Sequence, residues 1–191
     1  MAAEFNYFPF ESGDGAFITE PRWKLMFTWM RTVGVLTTAE TLPTDDDLFV
    51  GPTDPGLSVE VFPGEAFIQG MFWSHTGDTA PLAINENDSG DPRIDLVVLR
   101  TDFVNDIIEY VVIEGTPDPS PVAPDPVQND TVWDLPLATV DVADGATEIT
   151  DMDITDERVP SYQAQKGSSP LVAGSGITIT YSGDQVIISS P

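Results

Sequence analysis

The order of apolar and polar positions divides the chain into three stretches. Residues 1–18 carry Phe5, Tyr7, Phe8, Phe10 and Phe17, interrupted by Gly13 and Gly15. Such a glycine-rich aromatic leader does not favour a helix, and its rings are expected to pack over a core, either this subunit's or a neighbour's. A helical pattern follows. Thr19 suits an N-cap, Pro21 falls in the first turn, where a missing N–H costs nothing, and Gly34 stops the run. Between them Trp23, Met26, Phe27, Met30 and Val33 recur at three- and four-residue spacing, as one apolar face requires. Leu25 and Trp29 lie off that stripe. A helix apolar on more than one side packs against a sheet and against a second surface, which is core of the same domain or a subunit interface.

After Gly34 the pattern is that of strands. Leu57–Val61 and Ala66–Gly70 flank the turn dipeptide Pro63-Gly64, and Phe72 and Trp73 extend the second run toward a turn at residues 76–79. Pro81–Ile84 predicts a short strand and residues 85–92 a polar loop. Ile94–Arg100, IDLVVLR, is almost continuously apolar and too short for a helix, which predicts a strand buried on both faces. Asn105-Asp106 turns the chain into its partner, Ile107–Ile113. Five prolines in GTPDPSPVAPDP predict an extended, solvated connector. Leu135–Val142 and, after an Asp144-Gly145 turn, Glu148–Thr150 complete the set of strands.

The last 31 residues, 161–191, read as a polar linker and one hairpin. Ile177, Ile179 and Tyr181 alternate with Thr178 and Thr180, Gly183-Asp184 turns, and Val186–Ile188 returns. A lone hairpin is marginal in water, so it needs the main domain or copies of itself around a threefold axis. Ile177, Ile179, Val186 and Ile188 are the candidates for such a trimer interface. The expected fold is therefore mainly β. It is an antiparallel β-sandwich or barrel with one N-terminal α-helix and a small C-terminal β-hairpin, divided as leader 1–18, main domain 19–160 and hairpin unit 161–191.

Composition restricts the function. Thirty-two acidic residues against seven basic ones give a net charge of −25. Nucleic-acid affinity comes largely from basic side chains displacing counterions, so a nucleic-acid partner is not expected. Lysine occurs only at positions 24 and 166. An Asp-rich, Lys-poor surface is either the mark of many turns or an adaptation to concentrated salt, where screening relieves self-repulsion. The absence of cysteine removes disulfides, thiol nucleophiles and Cys-ligated metals. No run reaches the ~18–20 apolar residues of a membrane span, and the first residues lack the basic start of a signal peptide. A soluble product without membrane insertion is expected, one that leaves by some other route if it works outside a cell.

Catalytic chemistry has little to build on. The single His75 has Ser74 and Asp78 close in sequence, but triad members meet through the fold rather than along the chain, so His75 is expected on a surface or turn. NENDSGDPRIDL starts like an EF-hand loop, but its first and twelfth positions are Asn85 and Leu96, where Asp and Glu belong. No cofactor is expected beyond weak divalent binding at Asp45-Asp46-Asp47 or at Asp151, Asp153 and Asp156. Arg93 and Arg100 flank the apolar strand and are expected to pair with Asp95, Asp102 or Asp106. Arg158 is expected to clamp Asp153 or Asp156. These are ordinary exposed pairs or bidentate clamps that close loops.

Four segments, taken in order, resemble the minor tail or baseplate proteins of long-tailed viruses infecting actinobacteria and haloarchaea. They are FPFESGDGAFITEPRWKLMFTWMRTVGVL, GLSVEVFPGEAFIQGMFW, DPRIDLVVLRTDFVNDIIEYVVIEGTP and LPLATVDVADGATEITDMDITDER. The likeness spans residues 5–159, and its most specific piece is Asp91–Arg100 followed by Gly115-Thr116-Pro117. LVAGSGITITYSGDQVIISSP is similar to β segments at the joints of trimeric tail fibres. The resemblance implies a non-enzymatic structural protein of the virion's tail tip, a homotrimer that meets other tail or baseplate proteins and a fibre or receptor-binding protein. It transfers no catalytic residue. Phe8, Phe10, Leu25 and Trp29 are the candidates for docking. The alternatives are a glycan-binding tail fibre protein, with Trp73 or Trp133 stacking on sugar, and a capsid spike or decoration protein.

Overall fold

The computed structural model describes Lys24, Phe27, Thr28 and residues 30–37, 47–53, 55–77, 80–162, 178–182 and 185–189. Its strands are β1 (Gly34–Leu36), β2 (Val50–Pro52), β3 (Ser58–Val61), β4 (Gly64–Ile68), β5 (Met71–His75), β6 (Leu82–Ala83), β7 (Arg93–Asp102), β8 (Ile107–Ile113), β9 (Val132–Val142), β10 (Ile154–Asp156), β11 (Thr178–Ser182) and β12 (Gln185–Ser189). They form sheets ordered β1-β4-β5, β2-β3-β6 and β10-β9-β7-β8, with β11-β12 as a separate pair. Every strand pairing in these sheets is antiparallel. The architecture is mainly β and consistent with a sandwich.

Three sheets supply one core. Val35, Val50, Val59, Val61, Ala66 and Ile68 from the shorter sheets meet Val97, Leu99, Leu135, Leu137 and Val140 from the longest one. The apolar run anticipated at Ile94–Arg100 is the central strand β7, flanked by β8 and β9. Residues 95–99 are buried without a break, because a strand with neighbours on both edges and layers on both faces has no solvated side. Opposite Val97 and Val98 the register shifts, so that Ala138 and Pro136 face them and Leu137 is the extra residue. Pro136 has no N–H to give to a ladder, and a bulge is where a strand tolerates it.

Several expectations are corrected. Among the described elements none is an N-terminal α-helix, the one helical element being a 3-10 turn, Asp151–Asp153. Most of the span expected for that helix lies outside the described residues. Lys24, Phe27 and Thr28 have helical backbone, but the chain turns at Met30 and Gly34 opens β1. Residues 32–35 are drawn into extended pairing with residues 159–162. Thr32 N–H donates to Tyr162 O at 2.8 Å, Val35 N–H to Val159 O at 2.8 Å and Ser161 N–H to Val35 O at 2.7 Å. The β-branched Thr32 and Val33 offer little resistance, being weak helix formers. Met30, placed on the apolar stripe by its spacing, is 54% exposed.

Pro63-Gly64 joins two sheets rather than two paired strands, since β3 pairs with β2 and β6 while β4 pairs with β1 and β5. The hairpin is at Gln69-Gly70, where φ is +48° and +84° and Ile68 pairs with Met71. Two central residues with positive φ match the right-handed twist of the flanking strands. Glu148–Thr150 is not a strand. Thr150 N–H and hydroxyl instead donate to Asp153 Oδ2 at 2.8 and 2.7 Å, which closes the 3-10 turn before β10.

Candidate functional site

The most developed polar constructions are three arginine–aspartate clamps, each tying a loop to the β-domain. Arg93 and Asp95 are two apart on β7 and so share a face, and both are buried. Arg93 Nε donates to Asp95 Oδ1 at 2.9 Å and Nη2 to Oδ2 at 3.2 Å. Nη1 donates to Glu86 O at 3.0 Å and Nη2 to Asn85 O, so the guanidinium also holds the polar loop before β7. Asp95 Oδ1 takes a further hydrogen bond from Gly115 N–H at 2.9 Å. A side chain at residue 115 would start 2.0 Å from Ile94 O, which explains in packing terms why glycine stands there. Asp118 N–H donates to Pro92 O at 3.0 Å, so the start of the Pro-rich connector is stapled to the start of β7.

Arg100 pairs across the sheet rather than along its strand. Its register partner on β9 is Asp134, and Nε and Nη2 donate to Asp134 Oδ1 and Oδ2 at 2.7 and 2.9 Å. Asp134 is fully buried, and its Oδ2 also accepts Val127 N–H at 2.9 Å, which anchors the far end of the connector. The hydrogen bond to Asp134 is the main reason the Arg100 guanidinium holds its proton more tightly than usual, against the lesser effect of burial. Of the partners anticipated for Arg93 and Arg100, which were Asp95, Asp102 or Asp106, Asp95 holds Arg93 and none holds Arg100. Asp102 is instead committed to its own turn. It accepts Val104 N–H, Asn105 N–H and the Asn105 side-chain amide at 2.8–2.9 Å, and the Asn105 bonds hold its carboxyl below the ordinary value.

Arg158 closes the third clamp. Nε and Nη2 donate to Asp156 Oδ1 and Oδ2 at 2.8 and 2.7 Å, and Nη1 donates to Asp47 O at 2.6 Å. The guanidinium also lies 5.1 Å from the centre of the Phe49 ring. Between Asp47 and Phe49 sits Leu48, fully buried with φ +54°, a conformation that non-glycine residues adopt only when their surroundings hold them. Arg158 grips the carbonyl next to that residue. Burial alone would raise the Asp156 carboxyl, but the Arg158 hydrogen bonds and charge outweigh it and leave the group below its ordinary value. Asp153, the other partner anticipated, caps Thr150.

Of Ser74, His75 and Asp78, Asp78 lies outside the described residues. Ser74 and His75 are adjacent on β5 and point to opposite faces. Ser74 Oγ lies 3.5 Å from Glu65 on the neighbouring strand, whereas His75 Nδ1 lies 3.2 Å from Tyr110 Oη. Trp73 shares the His75 face, meets the Tyr110 ring edge-on at 6.4 Å and places Nε1 3.5 Å from its hydroxyl. Burial raises the Tyr110 phenol, partly offset by the Trp73 N–H. An open groove of about 460 Å3 runs past Asp47, Glu65, Ser74 and His75.

Polar groups in the EF-hand-like loop satisfy one another. Asn87 Nδ2 donates to Asp91 O and Val142 O, both at 2.9 Å, and Ser89 Oγ donates to Asn87 Oδ1 at 2.7 Å. Among the described residues no group of three or more His, Asp or Glu side chains could hold a metal ion. Asp45 and Asp46 lie outside the described residues.

Of the docking and trimer candidates, Phe8, Phe10, Leu25, Trp29 and Ile177 also lie outside the described residues. The hairpin pairs Ile179 with Ile188 and Tyr181 with Val186, so Ile179, Val186 and Ile188 fall on one face of the two-stranded ribbon. Trp73 and Trp133, the rings named for sugar stacking, are both partly buried against the core. No described helix is long and apolar enough to cross a membrane. Two features had no signal in the sequence. Asp134 is recognisable as the Arg100 partner only from strand register, and Thr101 Oγ1 and Trp133 Nε1, buried without a hydrogen-bond partner, are directly opposite each other on β7 and β9. No family model, curated protein or solved structure matches the chain.

Proposed function

We propose that this protein is a non-enzymatic structural component of a virus tail tip or baseplate, which docks on the tail and carries or connects to host-attachment fibres. The observation that supports this reading best is where the bidentate arginines are placed. Arg93, Arg100 and Arg158 each spend two guanidinium hydrogen bonds on a carboxylate of their own chain, and Arg93 and Arg158 also hold loop carbonyls, so they tie loops to the β-domain. A part that transmits load between neighbours needs stiff loops more than a reactive cleft. The residues that carry the resemblance fit this role, since Gly115 and the Asp91–Arg100 run belong to one clamp.

In this reading the main domain is a β-sandwich, and the C-terminal ribbon joins two further copies about a threefold axis. Its face with Ile179, Val186 and Ile188 would form the small shared core, and Phe8, Phe10, Leu25 and Trp29 would meet neighbouring tail proteins. Light scattering after gel filtration, at micromolar protein in physiological and in molar salt, is expected to give three times the 20.7 kDa chain mass. Replacing Ile179 and Ile188 together by Asp should yield a folded monomer. A monomeric wild-type protein overturns the trimer, and absence of the protein from isolated tail tips, probed with a specific antibody, overturns the tail assignment.

A further inference from the structure

The last strand of the sheet ordered β10-β9-β7-β8 is β8. Among the described residues, no backbone hydrogen bond reaches residues 107–113 from anything but β7. It is seven residues long, whereas the other edge strands have two to five. In an antiparallel ladder alternate residues turn their N–H and C=O groups to the partner and the rest turn theirs away. About half of the β8 backbone groups therefore face outward from the sheet. Proteins blunt such an edge with lysine, proline, an inward-pointing charge or a bulge. IIEYVVI has neither lysine nor proline, and its pairing with β7 runs from Asp102↔Ile107 to Leu96↔Ile113 without a register shift. Ile108, Tyr110 and Val112 pack against the core, so the strand's one charge, Glu109, lies on the other face. No residue of β8 is fully buried, although residues 95–99 of the adjacent β7 are. That contrast is expected of a strand with a neighbour on one side.

Charge selects what can pair there. From position 101 to position 157 the chain has no lysine or arginine, and Asp106, Glu109 and Glu114, in or beside β8, are all exposed. Arg100 stands opposite Glu109 in register, but its two bidentate bonds go to Asp134. Opposite charges on neighbouring strands stabilise a ladder and like charges weaken it. A second copy of this chain would bring the same acids and a further charge of −25 to the edge. A strand with basic side chains beside Glu109 and apolar ones beside Ile108, Tyr110 and Val112 complements both faces.

From this edge we infer that β8 takes up an extended segment of another protein as an added strand, one in which apolar residues alternate with lysine or arginine. Ladder hydrogen bonds to the outward backbone groups supply the affinity, and the alternating side chains supply the selection. The added strand extends the four-stranded sheet and leaves the C-terminal ribbon untouched, so this site is independent of both the trimer and the tail assignment.

The test titrates the full chain, 15N-labelled, with a short capped peptide that alternates valine and lysine. Two controls accompany it. One is the same peptide with all its backbone nitrogens methylated, which keeps the charge but can donate no ladder bond, and the other alternates valine and glutamate. The valine–lysine peptide is expected to bind about tenfold more tightly than either control. It is expected to slow hydrogen exchange of amides within residues 107–113 and to leave the edges at β5 and β10 unchanged. Glu109 is exposed, so Glu109→Lys keeps the fold and is expected to narrow the preference for lysine over glutamate about threefold. Glu109→Gln, which introduces no new charge, is expected to narrow it less. The proposal is overturned if the methylated peptide binds equally well, which would mark general attraction to an acidic surface. Protection outside residues 107–113, or a preference indifferent to Glu109→Lys, also overturns it. So does protection of residues 107–113 that grows with protein concentration alone, which would make a second copy the occupant.

Discussion

At the scale of single residues, bidentate ion pairing is confined to a few positions within a large excess of acid. Most of the 32 carboxylates have no arginine to meet, since the chain has five, but Asp95, Asp134 and Asp156 each hold one through two hydrogen bonds. Asp134 is the most exacting of them, because it is fully buried and also accepts the Val127 N–H. Removing one partner of a buried pair leaves the other charge uncompensated, at a cost of about 3–5 kcal/mol. Asp134→Ala is accordingly expected to lose about 3 kcal/mol in urea titrations, the lower end because Arg100 is partly exposed and reaches water. A loss under 1 kcal/mol would place this clamp with ordinary surface pairs.

Arg158→Lys keeps the charge but cannot span both Asp156 oxygens and the Asp47 carbonyl at once. Because the folded Asp156 carboxyl is held below its ordinary value, its contribution is fully present above about pH 4, the unfolded value, and is lost as pH falls through the lowered folded value. The gap in unfolding free energy between wild type and Arg158→Lys should therefore be widest above about pH 4 and narrow below it. A gap that does not change with pH would remove Asp156 from the explanation.

At the scale of elements, strand type and burial followed from local pattern, while sheet membership did not. The apolar run at Ile94–Arg100, its turn at Asn105-Asp106 and its return at Ile107–Ile113 are present as β7 and β8, because an uninterrupted apolar run of strand length has few other solutions. Pro63-Gly64 has the composition of a hairpin turn and joins two sheets, whereas Gln69-Gly70 makes the hairpin. The difference lies in tertiary pairing, since β4 takes β1 as its other neighbour and leaves β3 to β2 and β6. The Gln69-Gly70 turn also receives the N-terminal segment. Gly70→Ala would strain a backbone at φ +84° and push a methyl group into Lys24 O. A fall in stability of about 2 kcal/mol or more is expected by thermal or urea unfolding. An unchanged Tm would mean that Lys24 does not pack there.

At the scale of the whole molecule, the charge of −25 sets the conditions under which the domain is stable. Like charges over one compact body repel, and added salt screens them within about 3 Å at 1 M. Melting is therefore expected to shift upward from dilute buffer to molar NaCl or KCl, with the two salts alike if screening is the cause. A Tm that stays level or falls would leave the acid to its local duties in turns, as at Asp102 and Asp153. The same excess charge makes separate copies repel one another in dilute buffer.

The sequence by itself determined that this is a β-rich chain with an aromatic leader, a buried central strand, acid-rich turns and a terminal hairpin. Those features depend on residue spacing of two, on proline and glycine, and on charge, all of which act over a few neighbouring residues. It also singled out Arg93, Arg100 and Arg158. Only the tertiary structure decided that Arg100 holds Asp134, that Arg158 steadies the turn at Leu48, that the chain is extended after Met30, and that the Thr101 hydroxyl and the Trp133 N–H are buried with no hydrogen-bond partner among the described residues. Each of these follows from strands far apart in sequence arriving side by side, and register between strands leaves no periodic trace in either one alone.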